Sequence, residues 1–431
     1  MADNADDADA PTRRDYLTYG GAVIGGGLLA GCVADSGSDG DGGSTDAETP
    51  TATPDPTATP EPTIESTVET TTSTPTDAET ATERASWTVE MKPRTQVTFE
   101  SVPESVVVYR ADYADMLIAL GRGDALVGMQ DTQSLPANML AQLPDVSVDP
   151  ERITPLRQEG EYDKEIFYDI DADLHLIDPN NAKSYFGFDE ADISELATNV
   201  APWLGSFIRR PQDSIGPNYP HYTLYEAFEK VAAAFRERER YEALATVHEE
   251  LLATIAERLP PAEERPTVGL AYLVPGEQYV GSGVFWLNDP TQPGMAKKQY
   301  RDLGVGNVWE QAGVYSDGEV NYETLVQADP DVLVAHNAFG YTDSIEDFQT
   351  RVVDVMAESD LGSQLTAVQN DRVYRGGKNV QGPIINLFQT EVAAKQIYPE
   401  AFGEWTGLGE VPAEEQLFDR QRVADIVTGE F

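Results

Sequence analysis

The stretch "EIFYDIDADLHLID" (165–178) has a counterpart in "ETLVQADPDVLVAH" (323–336), which begins 158 residues later. Each stretch begins with a glutamate, continues with apolar positions, reaches an aspartate eight residues on and ends in an apolar run. We interpret Glu165 and Glu323 as the first residues of two helices and the aspartates as the turns into two strands. The match predicts that the chain contains two similar α/β units.

Short apolar runs alternate with helical patterns on both sides of this match. The strand-like runs are "SVVVYRA" (105–111), "ALVGM" (125–129), "DADLHLID" (171–178), "TVGLAYLV" (267–274), "DPDVLVAH" (329–336) and "DRVYRG" (371–376). Such alternation is typical of largely parallel sheets. The chain beyond residue 85 also exceeds what one hydrophobic core usually supports. We therefore predict an α/β fold with two Rossmann-like lobes, mostly parallel sheets and a long interdomain helix.

The region between the two halves has its own helical pattern. Thr223 and Glu226 form a capping box, and two prolines at 260–261 end the pattern. The charged "RERER" (236–240) predicts a break between two helices. The predicted segments are a signal (1–32), a disordered Thr/Pro/Asp/Glu-rich stalk (33–85), an N-terminal lobe (86–222), an interdomain helical segment (223–260) and a C-terminal lobe (261–431).

The N-terminal stretch "PTRRDYLTYGGAVIGGGLLAGC" (11–32) combines two arginines, a glycine-rich apolar run and the chain's one cysteine. The run is too short for a comfortable bilayer span but suits an export signal. Arg13 and Arg14 look like a twin-arginine signal, and "LAGC" resembles a lipobox ending at Cys32. We expect export, lipidation at Cys32 and a location on the extracellular face of the cytoplasmic membrane. The alternative is a generic signal peptide with an incidental cysteine.

The charge is strongly acidic in both the stalk and the domain. Residues 1–85 carry a net charge of −14 out of −46, which leaves −32 for the rest of the chain. Such a domain will not bind nucleic acid through a general field. Its self-repulsion is screened within about 3 Å in molar salt, so the composition indicates adaptation to strong brine.

Several stretches in order resemble one family of proteins. They are "PESVVVYRADYADMLIALGRGDALVGM" (103–129), the "E…DADLHLID" block (165–178), "YRDLGVGNVWE" (300–310), "VNYETLVQADPDVLV" (320–334) and "LTAVQNDRVYR…IYPEAF" (365–402). The chain resembles substrate-binding lipoproteins of ABC importers for iron-siderophores, haem and cobalamin. With its signal and acidity it looks like a haloarchaeal member. Ala172 and His175 depart from the proline and apolar residue usual in this family.

The resemblance implies a binding protein and not an enzyme. Its ligand would be a ferric chelate or a corrinoid, with iron-siderophore first, cobalamin second and haem third, and with no intrinsic cofactor. Its partners would be an ABC permease with its ATPase, and we expect a monomer. Family members dock on the permease through one glutamate per lobe, and the matching residues are Glu165 and Glu323. Glu159, Glu161 and Glu319 are near enough in sequence to be alternatives for the same role. The alternative is that both are ordinary first-turn glutamates favoured by the helix dipole.

The ligand site is predicted from loop chemistry. The loop "APWLGSFIRRPQDSIGPNYPHY" (201–222) concentrates aromatic residues and two arginines, which suit an anionic iron chelate. The candidate ligand-binding residues are Tyr113, Tyr185, Phe186, Trp203, Arg209, Arg210, Tyr219, Tyr222, Trp286, Tyr341 and Lys378. The paired arginines are alternatively salt-bridge partners of surface acids, and Trp286 is alternatively a core residue.

Other chemistries have weaker signals. His221 and His336 lie on predicted loops of opposite lobes, and two histidines are a poor set for a transition-metal site. No Gly-x-Ser-x-Gly elbow or P-loop is present. A membrane-anchored extracellular enzyme and a structural surface protein remain as alternatives from other classes. Tight ligand binding without turnover would distinguish the binding protein from the enzyme.

Overall fold

A computed structural model of the chain describes residues 86–93, 96–158, 160–211, 219, 221–273, 280–316, 318–336 and 344–431. These residues belong to one compact unit, Thr80–Phe431. The predicted signal, lipidation site and stalk lie outside the described residues, as does Tyr341. None of the helices in the described part of the chain combines the length and the apolar character that a bilayer crossing requires.

Strands and helices alternate along the chain. The strands are β1 (Trp87–Val89), β2 (Val97–Phe99), β3 (Val106–Val108), β4 (Leu126–Met129), β5 (Thr154–Pro155), β6 (Arg157–Gln158), β7 (Glu161–Tyr162), β8 (Leu174–Leu176), β9 (Val268–Tyr272), β10 (Phe285–Asn288), β11 (Glu319–Val320), β12 (Val332–Ala335) and β13 (Val373–Arg375). The helices are α1 (Ala111–Ala119), α2 (Ala137–Leu140), α3 (Glu165–Ile170), α4 (Pro179–Asn181), α5 (Glu190–Asn199), α6 (Leu224–Phe235), α7 (Arg238–Arg258), α8 (Lys298–Asp302), α9 (Val308–Gln311), α10 (Tyr322–Ala328), α11 (Ile345–Phe348), α12 (Asp354–Glu358), α13 (Thr366–Gln369), α14 (Pro383–Ile397), α15 (Pro399–Phe402) and α16 (Arg420–Thr428).

The first half forms a four-stranded sheet in the order β5-β4-β3-β8, and all of its strand pairs are parallel. The valines of β3 are fully buried because helices or loops cover both faces of the sheet, as is usual for parallel sheets. Beyond β8, a parallel bridge between His175 and Trp203 adds one further residue pair to the sheet. The predicted α/β class is confirmed for this half.

The second half forms a five-stranded sheet in the order β11-β10-β9-β12-β13. Strands β9, β12 and β13 are parallel, whereas β10 pairs antiparallel with both β9 and β11. Two of its four strand pairs are antiparallel, so this sheet is mixed and less parallel than the sequence predicted. The chain therefore has the predicted two-lobe α/β architecture.

The internal match predicted by the sequence appears in the structure. Asp171 directly follows helix α3 and Asp329 directly follows α10 as the C-cap residue, and both adopt left-handed backbone conformations, with φ values of 49° and 41°. Each aspartate is followed by a parallel strand, β8 in one lobe and β12 in the other. Aspartate tolerates this conformation better than most residues. The same helix-turn-strand unit therefore occurs twice.

The entry into each repeated strand is capped in the same way. The Asp173 carboxylate accepts hydrogen bonds from the backbone amides of Glu104 (2.8 Å) and Ser105 (2.9 Å) just before β3. The Asp331 carboxylate accepts from the backbone amide and the hydroxyl of Thr267 just before β9, both at 2.8 Å. Each aspartate thus joins its strand to the first central strand of the same lobe.

The predicted interdomain segment consists of two helices, α6 and α7. The Thr223–Glu226 capping box is present at the start of α6. The break lies at Arg236 and Glu237, because Arg236 has a left-handed φ of 56° and ends α6. The link is therefore a helix pair, not one continuous rod.

The main core runs through both lobes. It joins the α1 side of the first sheet, the apolar stripes of α6 and α7, and one face of β9 and β12. Helix α14 lies within it with every residue buried, and it packs against α1, α6, α7 and α8. The two lobes therefore share a continuous apolar interface behind any cleft between them.

Candidate functional site

A cleft of about 330 Å³, including space open to solvent, lies where the carboxyl ends of β3 and β8 face the second lobe. This is the usual ligand position in open α/β sheets. Most of its lining belongs to the first lobe, and Met295 comes from the second. The lining residues are Tyr109, Arg110, Asp112, Tyr113, Ile177, Asp178, Asn181, Ser206, Phe207, Arg209 and Met295.

The floor of the cleft is formed by Ser206, Phe207 and Arg209. They belong to the segment 203–211, which connects the two lobes by backbone hydrogen bonds. Leu204 N donates to His175 O (2.9 Å) at the edge of the first sheet. Further along, the carbonyls of Ile208 and Arg209 accept from the amides of Met295 (3.0 Å) and Ala296 (3.1 Å) in the second lobe. The segment therefore sets where its side chains stand between the lobes.

Asp178 organises the first-lobe end of this floor. It is 1% exposed, and its carboxylate accepts from Asn180 N (2.8 Å), Phe207 N (2.9 Å) and the Tyr219 hydroxyl. Burial raises the pKa of Asp178, while these hydrogen bonds act in the opposite direction. Burial, followed by the charge of Asp178, raises the pKa of Tyr219 far above its ordinary value, so Tyr219 remains a neutral hydrogen-bond donor.

Tyr113 completes the same hydrogen-bonded unit from α1. Its hydroxyl donates to Ser206 O and accepts from Ser206 N, both at 2.8 Å. The Ser206 hydroxyl also lies 3.2 Å from the Tyr219 hydroxyl. Burial and then Asp112 raise the pKa of Tyr113, so it too remains protonated. The floor is therefore held by neutral tyrosines and one buried carboxylate.

An aromatic and cationic group stands at the first-lobe side of the cleft. Tyr109 stacks on Tyr185, with ring centroids 5.7 Å apart, and contacts Phe186 edge to face at 5.2 Å. The Arg110 guanidinium lies over Tyr109 (4.7 Å) and Tyr185 (5.8 Å) and donates to the Tyr109 hydroxyl at 3.1 Å. Tyr185 remains 40% exposed. This arrangement can contact both a flat apolar surface and an anion.

The second lobe contributes a buried polar cluster at the end of β12. His336 Nε2 lies 2.7 Å from Asn379 Oδ1, which also accepts from Lys297 Nζ at 2.9 Å. Burial, then the charges of Lys297 and Arg209, hold the pKa of His336 well below its ordinary value. His336 is therefore neutral, and Arg209 lies close enough to act on it across the floor.

The predicted ligand residues divide into those at the cleft and those elsewhere. Tyr113 and Arg209 line it, Tyr219 bonds to its floor, and Tyr185 stacks on a lining residue. Arg210 is exposed and lies outside the lining, although it directly follows Arg209. Lys378 is half-buried in the segment after β13 and is also outside the lining.

Trp203 is not in the cleft, contrary to the sequence prediction. It is 2% exposed and packs in the first-lobe core against His175 (4.6 Å) and Phe167 (5.9 Å). The chain pairs with the edge strand of the sheet at this point, and the indole belongs to a core cluster of the first lobe.

Three more of the candidate residues lie outside the lining of the cleft. The Tyr222 hydroxyl accepts from Lys92 N at 3.2 Å near the β1–β2 hairpin. Trp286 lies on β10 and contacts Tyr272 edge to face at 5.9 Å. Burial and Arg301 lower the pKa of His221. In the described part of the chain, no group of three or more His, Cys, Asp or Glu side chains is arranged to hold a metal ion.

Sequence reasoning missed Tyr109, Arg110, Asp178, Phe207 and Met295. The first three had a usable signal, because they lie one or two residues after the ends of β3 and β8, where a ligand cleft is expected. Phe207 and Met295 depend on how the floor segment crosses between lobes, and no local pattern encodes that crossing.

This two-lobe arrangement agrees with comparisons to known proteins. A family model described as periplasmic binding protein matches residues 106–380, which is more than half of the chain. The chain belongs to the periplasmic binding protein family. No curated protein shows significant sequence similarity to this periplasmic binding protein.

Solved structures share the fold at low sequence identity. The TroA-like periplasmic binding protein FepB of Veillonella parvula is 16% identical with a TM-score of 0.53, and the match covers 77% of this chain and 93% of that one. The iron uptake ABC transporter substrate-binding protein PiuA of Streptococcus pneumoniae is also 16% identical, with a TM-score of 0.50 and coverage of 72% and 98%. At such identities these similarities establish the fold and not the ligand.

Proposed function

We propose that this periplasmic binding protein is the solute-binding component of an ABC importer, and that it captures an anionic iron chelate of the siderophore type between its lobes. The observation that carries the proposal is the presence of Arg110 and Arg209 in one cleft of a chain with a net charge of −46. Cobalamin and haem are the alternative ligands for the same cleft. No reaction is assigned to the site.

The chemistry of the cleft supports an anion with flat apolar parts. Arginine guanidinium groups bind carboxylates and other oxygen anions through directed hydrogen bonds. They are also less strongly hydrated than the ammonium group of a lysine. Tyr109 and Tyr185 offer ring surface next to Arg110. Such a pairing of cations with aromatic faces suits a chelate whose metal is enclosed by an organic anion, and the protein then needs no metal ligands of its own.

The test compares two neighbouring arginines. Arg209→Ala removes a lining guanidinium, whereas Arg210→Ala removes an exposed one outside the lining and serves as the matched control. Calorimetric titration in molar salt should use ferric tris-catecholate, a ferric trihydroxamate, ferric citrate, haemin and cyanocobalamin. For the probe that binds, Arg209→Ala should raise Kd about 10- to 100-fold, the value of one charged hydrogen bond. Equal effects of both variants, or binding of none of the probes, would refute the proposal.

Docking on the permease is assigned to Glu165 and Glu323. Both are exposed first-turn residues of the repeated helices α3 and α10. Nearby acids on α5 are already engaged, since Lys164 holds Asp192 (2.9 Å) and Glu195 (2.8 Å). One accessible carboxylate at the same position of each lobe suits a partner that presents one cationic patch to each lobe.

The protein is further proposed to be a monomer anchored outside the cell. Arg13 and Arg14 would direct export, Cys32 would carry the lipid, and the stalk would hold the domain away from the membrane. The net charge of −32 outside residues 1–85 supports function in strong brine, where such self-repulsion is screened.

A further inference from the structure

The buried helix α14 is capped by a side chain from the other lobe. Gly382 at its N-cap position has no side chain to offer, and the amides of Ile384 and Ile385 donate instead to Asp115 Oδ2 at 2.8 and 3.1 Å. Asp115 lies on α1 and is 0% exposed. The first amides of a helix need acceptors when they are buried, and here the acceptor comes from 269 residues away in sequence.

The contact between Asp115 and the start of α14 is closely packed, and it leaves buried polar atoms without hydrogen bonds. A Cβ atom at position 382 would collide with the Asp115 carboxylate, so glycine is needed for the backbone to approach. Asp115 Oδ1 and the Tyr225 hydroxyl both lack a hydrogen-bond partner among the described residues. A buried carboxylate with an unused oxygen costs stability relative to an apolar side chain. Its position therefore calls for an explanation other than simple stabilisation.

Asp115 connects the helix that carries one wall of the cleft to a segment that supports the lining residue of the other lobe. On its own helix, one turn earlier, Asp112 and Tyr113 line the cleft. On the other side, residues 376–382 lead into α14, and Gln381 in this segment donates to the carbonyl of the lining residue Met295 at 2.8 Å. The segment also carries the asparagine that binds Lys297 and His336.

We propose that Asp115 is a positioning residue for the cleft: its carboxylate holds the wall carried by α1 in register with residues 376–382, the segment that holds the second-lobe lining residue Met295. The inference rests on the proposed function only in treating this cleft as the ligand site. Its readouts need no ligand, so a failure of the ligand assignment and a failure of the positioning role are separate results.

The first measurement is amide hydrogen exchange of the full chain. In Asp115→Ala the amides of Ile384 and Ile385 should exchange about tenfold faster than in the unsubstituted chain, the loss expected for one hydrogen bond to a charged acceptor. Asp115→Asn retains an oxygen acceptor and should restore most of the protection. Asp189→Ala is the matched control, because it removes a helix cap within one lobe and should leave these amides unchanged.

The second measurement is the distance between the lobes. Spin labels at Asp169→Cys on α3 and Glu358→Cys on α12 report on opposite lobes, and both positions are exposed. Cys32→Ser prevents labelling of the natural cysteine. Asp115→Ala should shift or broaden the distance distribution, whereas the Asp115→Asn and Asp189→Ala chains should keep that of the parent. A parental distribution together with protected amides in Asp115→Ala would overturn the proposal.

A pH series keeps the proposal testable if Asp115→Ala does not fold. Burial raises the pKa of Asp115 to about 7, and the nearby charge of Asp112 on α1 acts in the same direction. Tyr225 on α6 stays neutral because burial raises its pKa far above its ordinary value. Protection of the Ile384 and Ile385 amides, corrected for intrinsic exchange, should fall as the pH is lowered through about 7, since a protonated carboxyl is a weaker acceptor. Asp115→Asn should remove this pH dependence, and an identical profile in both chains would refute the role.

Discussion

His175 is the residue whose replacement gives the sharpest test of the fold energetics. It is 0% exposed, and both ring nitrogens lack a hydrogen-bond partner among the described residues. The ring packs against Phe167 at 5.2 Å and Trp203 at 4.6 Å. We expect His175→Leu to stabilise the protein, because leucine fills a similar volume without burying unsatisfied polar atoms.

The magnitude has a part that is constant and a part that depends on pH. Relief of the unsatisfied nitrogens is worth about 1–3 kcal/mol, and loss of the aromatic contacts costs about 0.5–1.5 kcal/mol, so a net gain of about 1 kcal/mol is expected at pH 7.5. Burial lowers the pKa of His175 from 6.5 to about 3. As the pH falls, His175 is therefore protonated in the unfolded chain before it is protonated in the folded chain. The free energy of unfolding consequently decreases as the pH falls from about 6.5 towards 3. At pH 4.5 the advantage of leucine should have grown by about 2.7 kcal/mol, two pKa units' worth.

The assay is urea unfolding at fixed molar salt, with His175→Leu compared to the unsubstituted chain at pH 7.5, 6.0 and 4.5. Other titrating groups are common to both chains and cancel in the difference. The reciprocal variant is Leu333→His, because Leu333 occupies the corresponding position in β12 and is also fully buried. It should destabilise the protein and add acid sensitivity. A difference between parent and His175→Leu that does not change with pH, or a less stable leucine variant, would show the reasoning to be wrong.

Three further predictions concern transport, solvent and anchoring. Replacing Glu165 and Glu323 with alanine together should abolish uptake by cells while leaving ligand affinity of the purified protein within about twofold, since neither residue lines the cleft; normal uptake would refute docking through them. The midpoint of thermal unfolding should rise steeply as salt is increased from dilute buffer to molar concentration, because screening removes the self-repulsion of the acidic domain. A midpoint that does not change with salt would refute the proposed adaptation to brine. Cys32→Ser should leave the protein exported but released from the membrane, as measured by cell fractionation, because retention is assigned to the lipid and export to Arg13 and Arg14.

The parts of the fold that could be predicted from sequence are those with a strong local pattern. The six apolar runs identified in the sequence all contain strands, and the capping box at Thr223 begins α6 as expected. Helix α14 was not singled out, although all of its residues are buried. It carries polar residues such as Asn386, Gln389 and Glu391 among its apolar ones, and all are buried. A helix surrounded on every side has no exposed face to create an amphipathic pattern.

The candidate site was less predictable because several of its members are defined by long-range contacts. Composition drew attention to the loop at 201–222, and the structure places Arg209 of that loop in the cleft. The same composition could not separate Arg209 from Arg210, or Trp203 from the core. Side chains alternate along an extended segment, so adjacent residues point to opposite sides. A shift of one position therefore changes which of two neighbouring side chains reaches the cleft.

The strands of the two repeated units, β8 and β12, carry the same residue type at their starts and different residue types at their ends. At the start of β8 and β12, Asp173 and Asp331 make corresponding hydrogen bonds to the neighbouring strand entry. At the carboxyl ends of the two strands, the corresponding positions are Asp178 and His336. Asp178 is a carboxylate bound by backbone amides and a tyrosine, and His336 is a neutral imidazole next to an asparagine. A requirement of the fold acts alike on both lobes and so produces the same residue twice. A ligand bound between the lobes presents a different surface to each, so chemistry that differs between the two cleft ends is what ligand binding would demand.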